Sequence, residues 1–538
     1  MWRHRSIRVL PDIGRHWSAT RPDKVALVDA AASITYRELD DRTNQIAHAA
    51  IDSGIRRGDR IGYVGPNSVS FWECWLGTNK AGGIFVPLNW RFAVPEFVAL
   101  IDDAGLSIVM VDSQLVPTLA EVRDLCARPF QIVVFGTELE GETGLDQWIA
   151  DQPTTDPAVP IRVEDVSLLA YTSGTTGRPK GAQITHRAFD NWFMMASVEP
   201  TESFHDNDVV LMIMPNFHLA GSWLTLSGIY HGATIAVVGQ FDPGTFFTAV
   251  TAFRPTVVCL VPTAIQMIVH HPDAVHTDFG SIRRILYAGS AISADTIRAA
   301  TDLIGCELEQ FYGTTETYII TILRPDQHDP DNAELLSSCG SPFPFVEVRV
   351  TDADGHDAAD DVVGEVLVRS PIMVDGYWNN PDATASAFAG EWYKTGDLGR
   401  LDADGNLYLV DRAKDMIVTG GENVYSVEVE RALNTHPAVR SAAVLGLPSD
   451  RWGEQVTAFV VTDSAVTEAQ LIAHCRDHIA GYKVPKAITF LDQLPTTPSG
   501  KVRKNVLRAS ASPSLDPLRP IVRPNTGSDH EQSRLREA

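Results

Sequence analysis

Short apolar runs alternate with longer amphipathic stretches over much of the chain. The order strand, helix, strand is predicted over residues 59–64, 69–80 and 83–87, and again over residues 284–287, 294–303 and 307–311. Apolar strands that alternate with helices are typical of parallel sheets covered by helices on both faces. We therefore expect an α/β fold with parallel-type sheets and covering helices in the larger part of the chain.

The longest stretch without a charged residue runs from residue 209 to residue 241. A membrane span needs about 20 consecutive apolar residues, but this stretch contains Pro215, Asn216, His218 and His231 as well as glycines. Its pattern instead predicts a strand over 209–214, a loop, a helix over 221–230 and a strand over 234–238. We therefore expect no transmembrane segment here.

The pattern changes after about residue 340, where short strands are separated by Asp-Gly turns. The turns at Asp354 and Asp404 indicate β-hairpins, and we expect a β-barrel-like part in this region. Both turns belong to Asp-Ala-Asp-Gly strings, which suggest a calcium loop. Such a loop needs an acidic residue five positions before its glycine, where this chain has Val350 and Arg400. Plain turns are therefore favoured.

A smaller unit is predicted to begin near Arg412. Strands over 441–445 and 455–461 and a helix over 467–480 predict a small α+β domain. The end of the chain is polar and rich in proline, a composition typical of disorder. The sequence thus predicts a large domain over 1–411, a small domain over 412–510 and a disordered tail over 511–538.

The composition is that of a globular protein and excludes several classes of function. The chain has 538 residues, of which 44% are hydrophobic, and a formal charge of −24 at pH 7. This length allows roughly two to four structural units. A chain this acidic is a poor non-specific partner for nucleic acid or for anionic membranes. Any site for an anion must therefore depend on local positive charge.

The cysteines and the N-terminus bear on the compartment. The 6 cysteines are scattered and form no Cys-x-x-Cys pair, so a zinc ribbon or a thioredoxin-like site is not expected. Scattered thiols suit the reducing cytoplasm. Pro11 and Asp12 interrupt any apolar core of a signal peptide, whereas a transit peptide stays open. We expect a cytoplasmic protein, for which a homodimer also stays open.

A loop rich in hydroxyl side chains and glycine follows the apolar residues 168–170. Its members are Thr172, Ser173, Gly174, Thr175, Thr176 and Gly177. Hydroxyl groups and glycine-exposed N–H groups form phosphate cradles, and Lys180 adds a compact positive charge. The alternative is a flexible linker, which the preceding strand and the following lysine disfavour. The residue order is neither that of a Walker loop nor that of a Rossmann glycine motif.

The string Tyr-Thr-Ser-Gly-Thr-Thr-Gly-Arg-Pro-Lys-Gly at 171–181 resembles the signature loop of the adenylate-forming superfamily. Members of that superfamily include acyl- and aryl-CoA synthetases, amino-acid adenylation domains and luciferases. Further motifs follow in the family's order, so the resemblance extends from about residue 10 to about residue 505. The resemblance implies two domains joined by a hinge, with ATP, CoA and a carboxylic acid as small-molecule substrates and Mg²⁺ as cofactor.

Residues 310–316 resemble the Tyr-Gly-x-Thr-Glu segment of the family. The resemblance implies that Tyr312 offers its ring to adenine and Thr315 its hydroxyl to a phosphate. Glu316 would hold Mg²⁺, a hard cation suited to carboxylate and phosphate oxygens, together with Thr176. The other residues of this segment that the resemblance assigns to the nucleotide are Gln310 and Gly313.

Two further motifs complete the nucleotide site that the resemblance implies. Gly289, Ser290 and Ala291 resemble the adenine-side loop, although the family usually has glycine where this chain has Ser290. Asp397, in a Tyr-Lys-Thr-Gly-Asp string, would accept hydrogen bonds from both hydroxyls of a ribose. The alternative for this residue is a plain turn aspartate. Arg412 would contact ribose or phosphate.

The remaining motifs lie at the domain junction and in the small domain. Lys414 falls at the family's hinge position. Gly420 and Gly421 resemble the loop beside the pantetheine tunnel, and Trp452 is assigned to the CoA-binding surface. Lys501, in a Pro-Ser-Gly-Lys turn, is assigned the role of the adenylation lysine. Without the resemblance, a lysine on such a turn would be interpreted as solvated.

The segment around Phe217 and His218 is assigned to the acid. Amino-acid-activating members of the family resemble one another in having Phe-Asp here, and that Asp pairs with the substrate ammonium. A buried ammonium without a counter-charge is costly, so we expect an acid without an α-amine. Trp223 either lines an acyl tunnel or packs in the core, and His218 either orients the carboxylate or is a core histidine. We favour a medium- or long-chain fatty acid.

The reaction that the resemblance implies has two steps. The carboxylate attacks the α-phosphorus of ATP and releases pyrophosphate, and the CoA thiol then attacks the acyl adenylate and releases AMP. Lys501, Lys180 and Mg²⁺ would stabilise the developing charge, and rotation of the small domain would admit CoA. The alternatives are an aryl or other acid, transfer to a carrier protein, and a catalytically silent nucleotide-binding protein.

Overall fold

The computed structural model describes residues 4, 6–172, 179–199, 201, 204–289, 292–352, 354–413, 415–419, 422–449, 451–496 and 502–511. The contacts of the chain divide it into two compact units, Met1–Lys414 and Asp415–Ala538. The boundary expected from the sequence, between residues 411 and 412, lies close to this division. Of the tail expected over 511–538, only Ala511 is described, at the end of a helix.

The first unit alternates helices and strands. Its helices are α1 (Pro11–Thr20), α2 (Tyr36–Asp52), α3 (Val69–Lys80), α4 (Val94–Ala104), α5 (Val116–Leu125), α6 (Leu145–Ile149), α7 (His186–Ala196), α8 (Leu219–Tyr230), α9 (Pro243–Phe253), α10 (Pro262–Val269), α11 (Ala294–Ile304), α12 (Ala333–Leu336) and α13 (Pro381–Ala387). Its strands are β1 (Val25–Val28), β2 (Ser33–Thr35), β3 (Arg60–Val64), β4 (Ile84–Leu88), β5 (Leu106–Asp112), β6 (Gln131–Phe135), β7 (Val166–Thr172), β8 (Lys180–Thr185), β9 (Val209–Met212), β10 (Thr234–Val237), β11 (Val257–Leu260), β12 (Arg284–Ala288), β13 (Glu307–Tyr312), β14 (Thr321–Leu323), β15 (Ser341–Pro342), β16 (Glu347–Thr351), β17 (Gly364–Arg369), β18 (Phe388–Ala389), β19 (Trp392–Leu401) and β20 (Leu407–Arg412).

Two mixed sheets form the larger part of this unit. One has the strand order β6-β5-β3-β4-β7-β8 and the other the order β15-β14-β13-β12-β11-β9-β10-β1-β2. The inner strands run parallel, whereas β8, β2 and β14 pair antiparallel with their neighbours at the edges. The expected α/β fold with parallel-type sheets is therefore confirmed, with antiparallel strands added at the edges.

Helices α3 and α8 lie in one core that residues of both sheets share. Phe71, Trp72 and Trp75 of α3 are fully buried, and α8 is buried along its whole length from Gly221 to Tyr230. A helix that is apolar on all sides must be enclosed, which explains the long uncharged stretch. That stretch forms β9, α8 and β10 as expected, and no helix among the described residues is long and apolar enough to span a membrane.

The region expected to be barrel-like is an antiparallel sheet with the order β16-β17-β19-β18, in which β20 also pairs with β19. The turn at Asp404 joins β19 to β20 in the predicted hairpin. The turn predicted at Asp354 reverses the chain, because Thr351 forms an antiparallel bridge with Asp357 and the N–H of Asp352 donates to the carbonyl of His356 at 2.9 Å. The Asp352 carboxylate also accepts the N–H groups of Asp354 and His356. The full-length antiparallel partner of β16 is β17, which begins only at Gly364.

The second unit contains α14 (Ser426–Asn434), α15 (Glu468–His478) and α16 (Lys504–Ala511) with β21 (Ile417–Thr419), β22 (Glu422–Val424), β23 (Val439–Ser449), β24 (Gly453–Thr462) and β25 (Ala487–Phe490). Its sheet has the order β22-β21-β24-β23, and β25 pairs with β24 in parallel. The predicted strands are the centres of the longer β23 and β24, and the predicted helix is α15. The small α+β domain is therefore confirmed.

Candidate active site

The predicted phosphate loop joins two strands of an antiparallel hairpin. Thr172 ends β7 and Lys180 begins β8, and the two residues are register partners. Because β7 runs parallel to β4, the loop leaves the carboxyl end of a strand, which is where open α/β sheets bind ligands. The loop residues Ser173, Gly174, Thr175, Thr176 and Gly177 lie outside the described residues, so their contacts with phosphate stay a prediction.

Tyr377 links two of the predicted site residues. Its segment pairs with β8, because the N–H of Trp378 donates to the carbonyl of Gly181 at 2.7 Å. The ammonium of Lys180 lies 5.0 Å from the centroid of the Tyr377 ring. The Tyr377 hydroxyl donates to Oε1 of Glu316 at 2.6 Å. The structure therefore brings Lys180 and Glu316 to the same tyrosine, a residue that no sequence motif marks.

The Glu316 carboxylate is held in a pocket of tyrosine side chains. It is only 8% exposed. Burial and the charge of Glu316 raise the pKa of both Tyr377 and Tyr393. Both hydroxyls therefore stay protonated and remain donors at neutral pH. A buried carboxylate that keeps acceptor capacity beside protonated donors fits a hard divalent cation.

Tyr312, Asp397 and Arg412 form one hydrogen-bonded cluster. The Tyr312 hydroxyl donates to Oδ2 of Asp397 at 2.6 Å, and Nε of Arg412 lies 2.6 Å from Oδ1. Asp397 and Arg412 are register partners on β19 and β20, so the sheet itself sets their separation. Asp397 is 4% exposed. Because each carboxylate oxygen has two lone pairs, Asp397 keeps the capacity to accept further hydrogen bonds from a diol.

The other residues predicted to bind the nucleotide lie on or directly after the neighbouring parallel strands β12 and β13. Gly289 follows β12 with φ of +98°, and Ser290 and Ala291 lie outside the described residues. Gln310, on β13, is buried and accepts a hydrogen bond from the Tyr287 hydroxyl at 3.1 Å. Gln310 thus links the side chains of β12 and β13. The residues that follow β13 are Gly313, which is exposed, and Thr315, which is half-buried.

His218 caps the N-terminus of α8 and is held in the neutral form. Its carbonyl accepts the N–H groups of Gly221 and Ser222, and its ring lies 4.7 Å from the ring of Phe217. Burial, and then the positive charge of Arg91, lower the pKa of His218 to about 4. A neutral imidazole can form hydrogen bonds with a carboxylic acid. Because it carries no charge, it offers no counter-charge to a charged group of a substrate.

Two buried asparagines fix the loop that carries Phe217 and His218. The side-chain amide of Asn67 donates to the carbonyls of Met214 and Val238, and its oxygen accepts the N–H of Asn216 at 2.9 Å. Asn216 in turn donates to the carbonyl of Gly65. These contacts join segments that are distant in the sequence, so the sequence pattern gave no signal for them.

Trp223 is enclosed by other aromatic rings. It is 2% exposed and stacks on Phe189 at 4.3 Å and on Tyr318 at 3.7 Å between ring centroids. Phe217 is also buried. Of the two interpretations of Trp223, these contacts show core packing, and the lining of an acyl pocket stays a prediction.

In the second unit, Trp452 has a cation on its ring. The guanidinium of Arg451 lies 4.7 Å and the ammonium of Lys486 6.0 Å from the ring centroid. Lys486 was not identified from the sequence. Aromatic rings with basic neighbours suit a ligand that carries both a base and phosphates. The predicted residues Lys414, Gly420, Gly421 and Lys501 lie outside the described residues.

A family model for the AMP-binding enzyme matches residues 14–378, and a model for the AMP-binding enzyme C-terminal domain matches residues 428–501. The chain belongs to the AMP-binding enzyme family. The resemblance to the adenylate-forming superfamily and its two-domain fold is thereby confirmed. This AMP-binding enzyme is therefore an adenylate-forming ligase.

Relatives of this AMP-binding enzyme differ in the acids named for them. A feruloyl-CoA synthase of Amycolatopsis is 36% identical over 490 residues, covering 90% of this chain and 96% of the relative. A fatty acid–acyl-carrier-protein ligase, ScoC of Streptomyces coeruleorubidus, is 31% identical and covers 94% and 97%. The crystal structure of the anthranilate CoA ligase AuaEII with anthranoyl-AMP has a TM-score of 0.85 at 28% identity, covering 94% and 97%.

Proposed function

We propose that this enzyme is an ATP-dependent acid–CoA ligase that forms an acyl adenylate and passes the acyl group to CoA. The observation that carries the proposal is the cluster of Tyr312, Asp397 and Arg412, joined by contacts of 2.6 Å. In it a buried carboxylate, an aromatic ring and a guanidinium meet at one place. These are the groups that a ribose, a purine base and a phosphate require.

The charged groups on the Tyr377 side suit the phosphate end of the nucleotide. Lys180 supplies a positive charge near developing negative charge on phosphate oxygens. Glu316, with Thr176, is the proposed holder of Mg²⁺, which would neutralise phosphate charge when bound. Tyr377 fixes the orientation of the carboxylate through its hydroxyl. Lys501 is assigned by the resemblance to the attack of the acid on ATP.

The acid substrate is proposed to lack an α-amine. His218 follows Phe217 where amino-acid-activating members have an acidic residue, and its ring is neutral. An ammonium group would therefore be buried without a counter-charge, at a cost of several kcal/mol (about 3–5). A medium- or long-chain fatty acid and an aryl acid both satisfy this condition. The neutral His218 is proposed to orient the carboxylate.

The acceptor is proposed to be free CoA rather than a carrier protein. Trp452, flanked by Arg451 and Lys486, offers a ring for stacking and positive charge for phosphates. These are the groups that the nucleotide part of CoA requires. Gly420, Gly421 and the hinge residue Lys414 are assigned to the same half-reaction by the resemblance. The carrier-protein alternative is favoured by one relative, ScoC, whose name gives a carrier protein as acceptor.

Pyrophosphate release across a panel of fatty, aryl and amino acids, with and without CoA, tests the proposal. We expect release that depends on an acid without an α-amine, and continuous turnover with AMP and acyl-CoA formation only when CoA is present. Turnover that requires a phosphopantetheinylated carrier protein and does not occur with free CoA would show that the acceptor is a carrier protein. Absence of acid-dependent pyrophosphate release with the whole panel would contradict the proposal.

A further inference from the structure

Two stacked rings, those of Trp223 and Tyr318, each carry a buried hydrogen-bond donor. The indole Nε1 of Trp223 and the hydroxyl of Tyr318 are enclosed, and neither has a hydrogen-bond partner among the described residues. The two residues are 2% and 5% exposed, and their rings stack with centroids 3.7 Å apart. A buried donor without an acceptor costs about 1–3 kcal/mol, so an acceptor supplied by a ligand would stabilise each of these two groups.

The pair connects the two segments at which acid and nucleotide are proposed to bind. Trp223 lies in the second turn of α8, whose N-terminus is capped by His218. Tyr318 follows Tyr312 and Glu316 in the same segment. The Trp223–Tyr318 contact therefore joins the segment assigned to the acid to the segment assigned to the nucleotide.

The backbone around Tyr318 is strained so that the ring is held in this position. Tyr318 has φ of +60°, a left-handed conformation that bulky residues rarely adopt. A Cβ atom at Gly313 would lie 1.4 Å from the carbonyl oxygen of Tyr318, so only glycine permits the approach. The N–H of Tyr318 donates to the carbonyl of Thr314 at 2.8 Å. Such strain clusters at ligand sites, and here it directs the tyrosine onto Trp223.

We propose, as a refinement that rests on the function proposed above, that Trp223 Nε1 and the Tyr318 hydroxyl donate hydrogen bonds to an oxygen on the acyl part of the substrate. The substrate class is then a carboxylic acid that carries a hydroxyl, methoxy or keto oxygen away from its carboxylate. One such oxygen has two lone pairs and can accept from both donors. A plain hydrocarbon would leave both donors buried and unpaired. A site built in this way rejects the analogue that lacks the oxygen.

Trp75 provides a matched control for the same kind of group. Its indole N–H is also buried without a partner among the described residues. Trp75 contacts Phe189, with ring centroids 6.0 Å apart, and Phe189 stacks on Trp223. However, Trp75 lies on α3, which carries none of the assigned site residues. Trp75→Phe therefore removes an unpartnered N–H from the same aromatic stack without touching the acid segment.

The test compares kcat/KM for AMP formation with acids that differ by one oxygen, namely 4-hydroxycinnamic against cinnamic acid and 8-hydroxyoctanoic against octanoic acid. We expect the oxygenated acid to be preferred by at least about tenfold in one pair; the pair in which this occurs distinguishes an aryl from an alkyl substrate. Tyr318→Phe and Trp223→Phe should lower kcat/KM for the oxygenated acid only, which reduces the preference to about threefold or less, and Trp75→Phe should leave it unchanged.

Several outcomes would overturn the refinement and leave the ligase intact. One is equal use of both acids in both pairs. Another is an unchanged preference in Tyr318→Phe together with a raised midpoint of thermal unfolding, because an idle buried hydroxyl is expected to destabilise the fold. A preference that Trp75→Phe abolishes equally would also count against it. Failure of any acid to yield AMP would overturn the proposed function as well.

Discussion

The hydroxyl of Tyr377 donates a hydrogen bond of 2.6 Å to Glu316, and the ring of the same tyrosine lies 5.0 Å from the ammonium of Lys180. The Tyr377 side chain thus contacts both the carboxylate of Glu316 and the ammonium of Lys180, two residues that belong to distant motifs. A carboxylate fixed in this way presents its remaining acceptor positions in one direction. This geometry gives Tyr377 a positioning role in the proposed first half-reaction.

Tyr377→Phe should slow acid-dependent pyrophosphate release. The phenyl ring keeps the contact with Lys180, but Glu316 loses one of its donors and is less firmly oriented, so we expect kcat to fall about 3–10-fold and the Mg²⁺ concentration for half-maximal rate to rise. The control is Tyr408→Phe, which removes a hydroxyl that donates to Asp402 in a turn. Equal kinetics in Tyr377→Phe and the native enzyme, at limiting Mg²⁺, would refute the positioning role.

Asp397→Asn should weaken ATP binding. The amide keeps the shape but removes the charge that Arg412 faces, and it can accept fewer hydrogen bonds from a ribose. We expect KM for ATP to rise roughly 10–100-fold. Asp361→Asn, at an exposed ion pair with Arg400, is the matched control and should leave KM unchanged. An unaltered KM for ATP in Asp397→Asn would contradict the ribose assignment.

Lys501→Ala should separate the two half-reactions. The lysine is proposed to stabilise charge as the acid attacks ATP, and loss of one such group costs about 10²–10³ in rate. We therefore expect adenylation to be lost while thioester formation from a synthetic acyl adenylate and CoA is retained. Rapid-quench measurement of each half-reaction checks this. An equal loss in both half-reactions would show that Lys501 has a different role.

Lys414→Pro should have the opposite selectivity. Proline fixes φ and stiffens the proposed hinge, so the second half-reaction should fall more than the first. The same rapid-quench assays, applied with preformed acyl adenylate, measure the ratio. A defect confined to adenylation would argue against a hinge at this position.

His186 should make stability fall in mildly acidic solution. The residue is buried, its Nδ1 accepts the N–H of Leu10 at 3.2 Å, and burial lowers its pKa from the usual 6.5 to about 4. The unfolded chain therefore takes up a proton before the folded chain does, and stability is lost as the pH falls through this window. His186→Asn keeps an acceptor but does not titrate. The free energy of unfolding of both proteins is measured at about pH 7.5 and at about pH 5. The decrease should be smaller for His186→Asn than for the native chain, by on the order of 1–2 kcal/mol. Equal decreases would contradict the assignment.

The elements that the sequence predicted well are those with uniform, local patterns. Helix α3 has the predicted bounds, Val69–Lys80, because its buried residues run without a break from Phe71 to Lys80 and glycines follow its end. Strand β12 and helix α11 also begin where expected. The Asp-Gly turn at Asp354 forms the expected local reversal, with Thr351 bridging Asp357, but the strand that pairs with the whole of β16 begins only at Gly364, and the turn motif does not indicate this.

The parts of the site that escaped prediction depend on contacts between distant segments. Tyr377 has no motif around it, and its role follows from the backbone pairing of its segment with β8. Asn67 and Asn216 are unremarkable in the sequence, yet together they fix the acid segment. The Trp223–Tyr318 contact likewise joins separate motifs. Periodicity and motif spacing identify which segments carry chemistry, but they do not show which side chains orient them.

The path of one carboxylate oxygen tests the central claim most directly. If the acid attacks the α-phosphorus, and CoA then attacks the acyl carbon, one oxygen of the acid must leave with AMP. An accepted acid labelled with ¹⁸O in its carboxylate should therefore yield AMP that contains one ¹⁸O atom, detected by mass spectrometry, and unlabelled pyrophosphate. Unlabelled AMP, or label in inorganic phosphate with ADP as the product, would contradict the account.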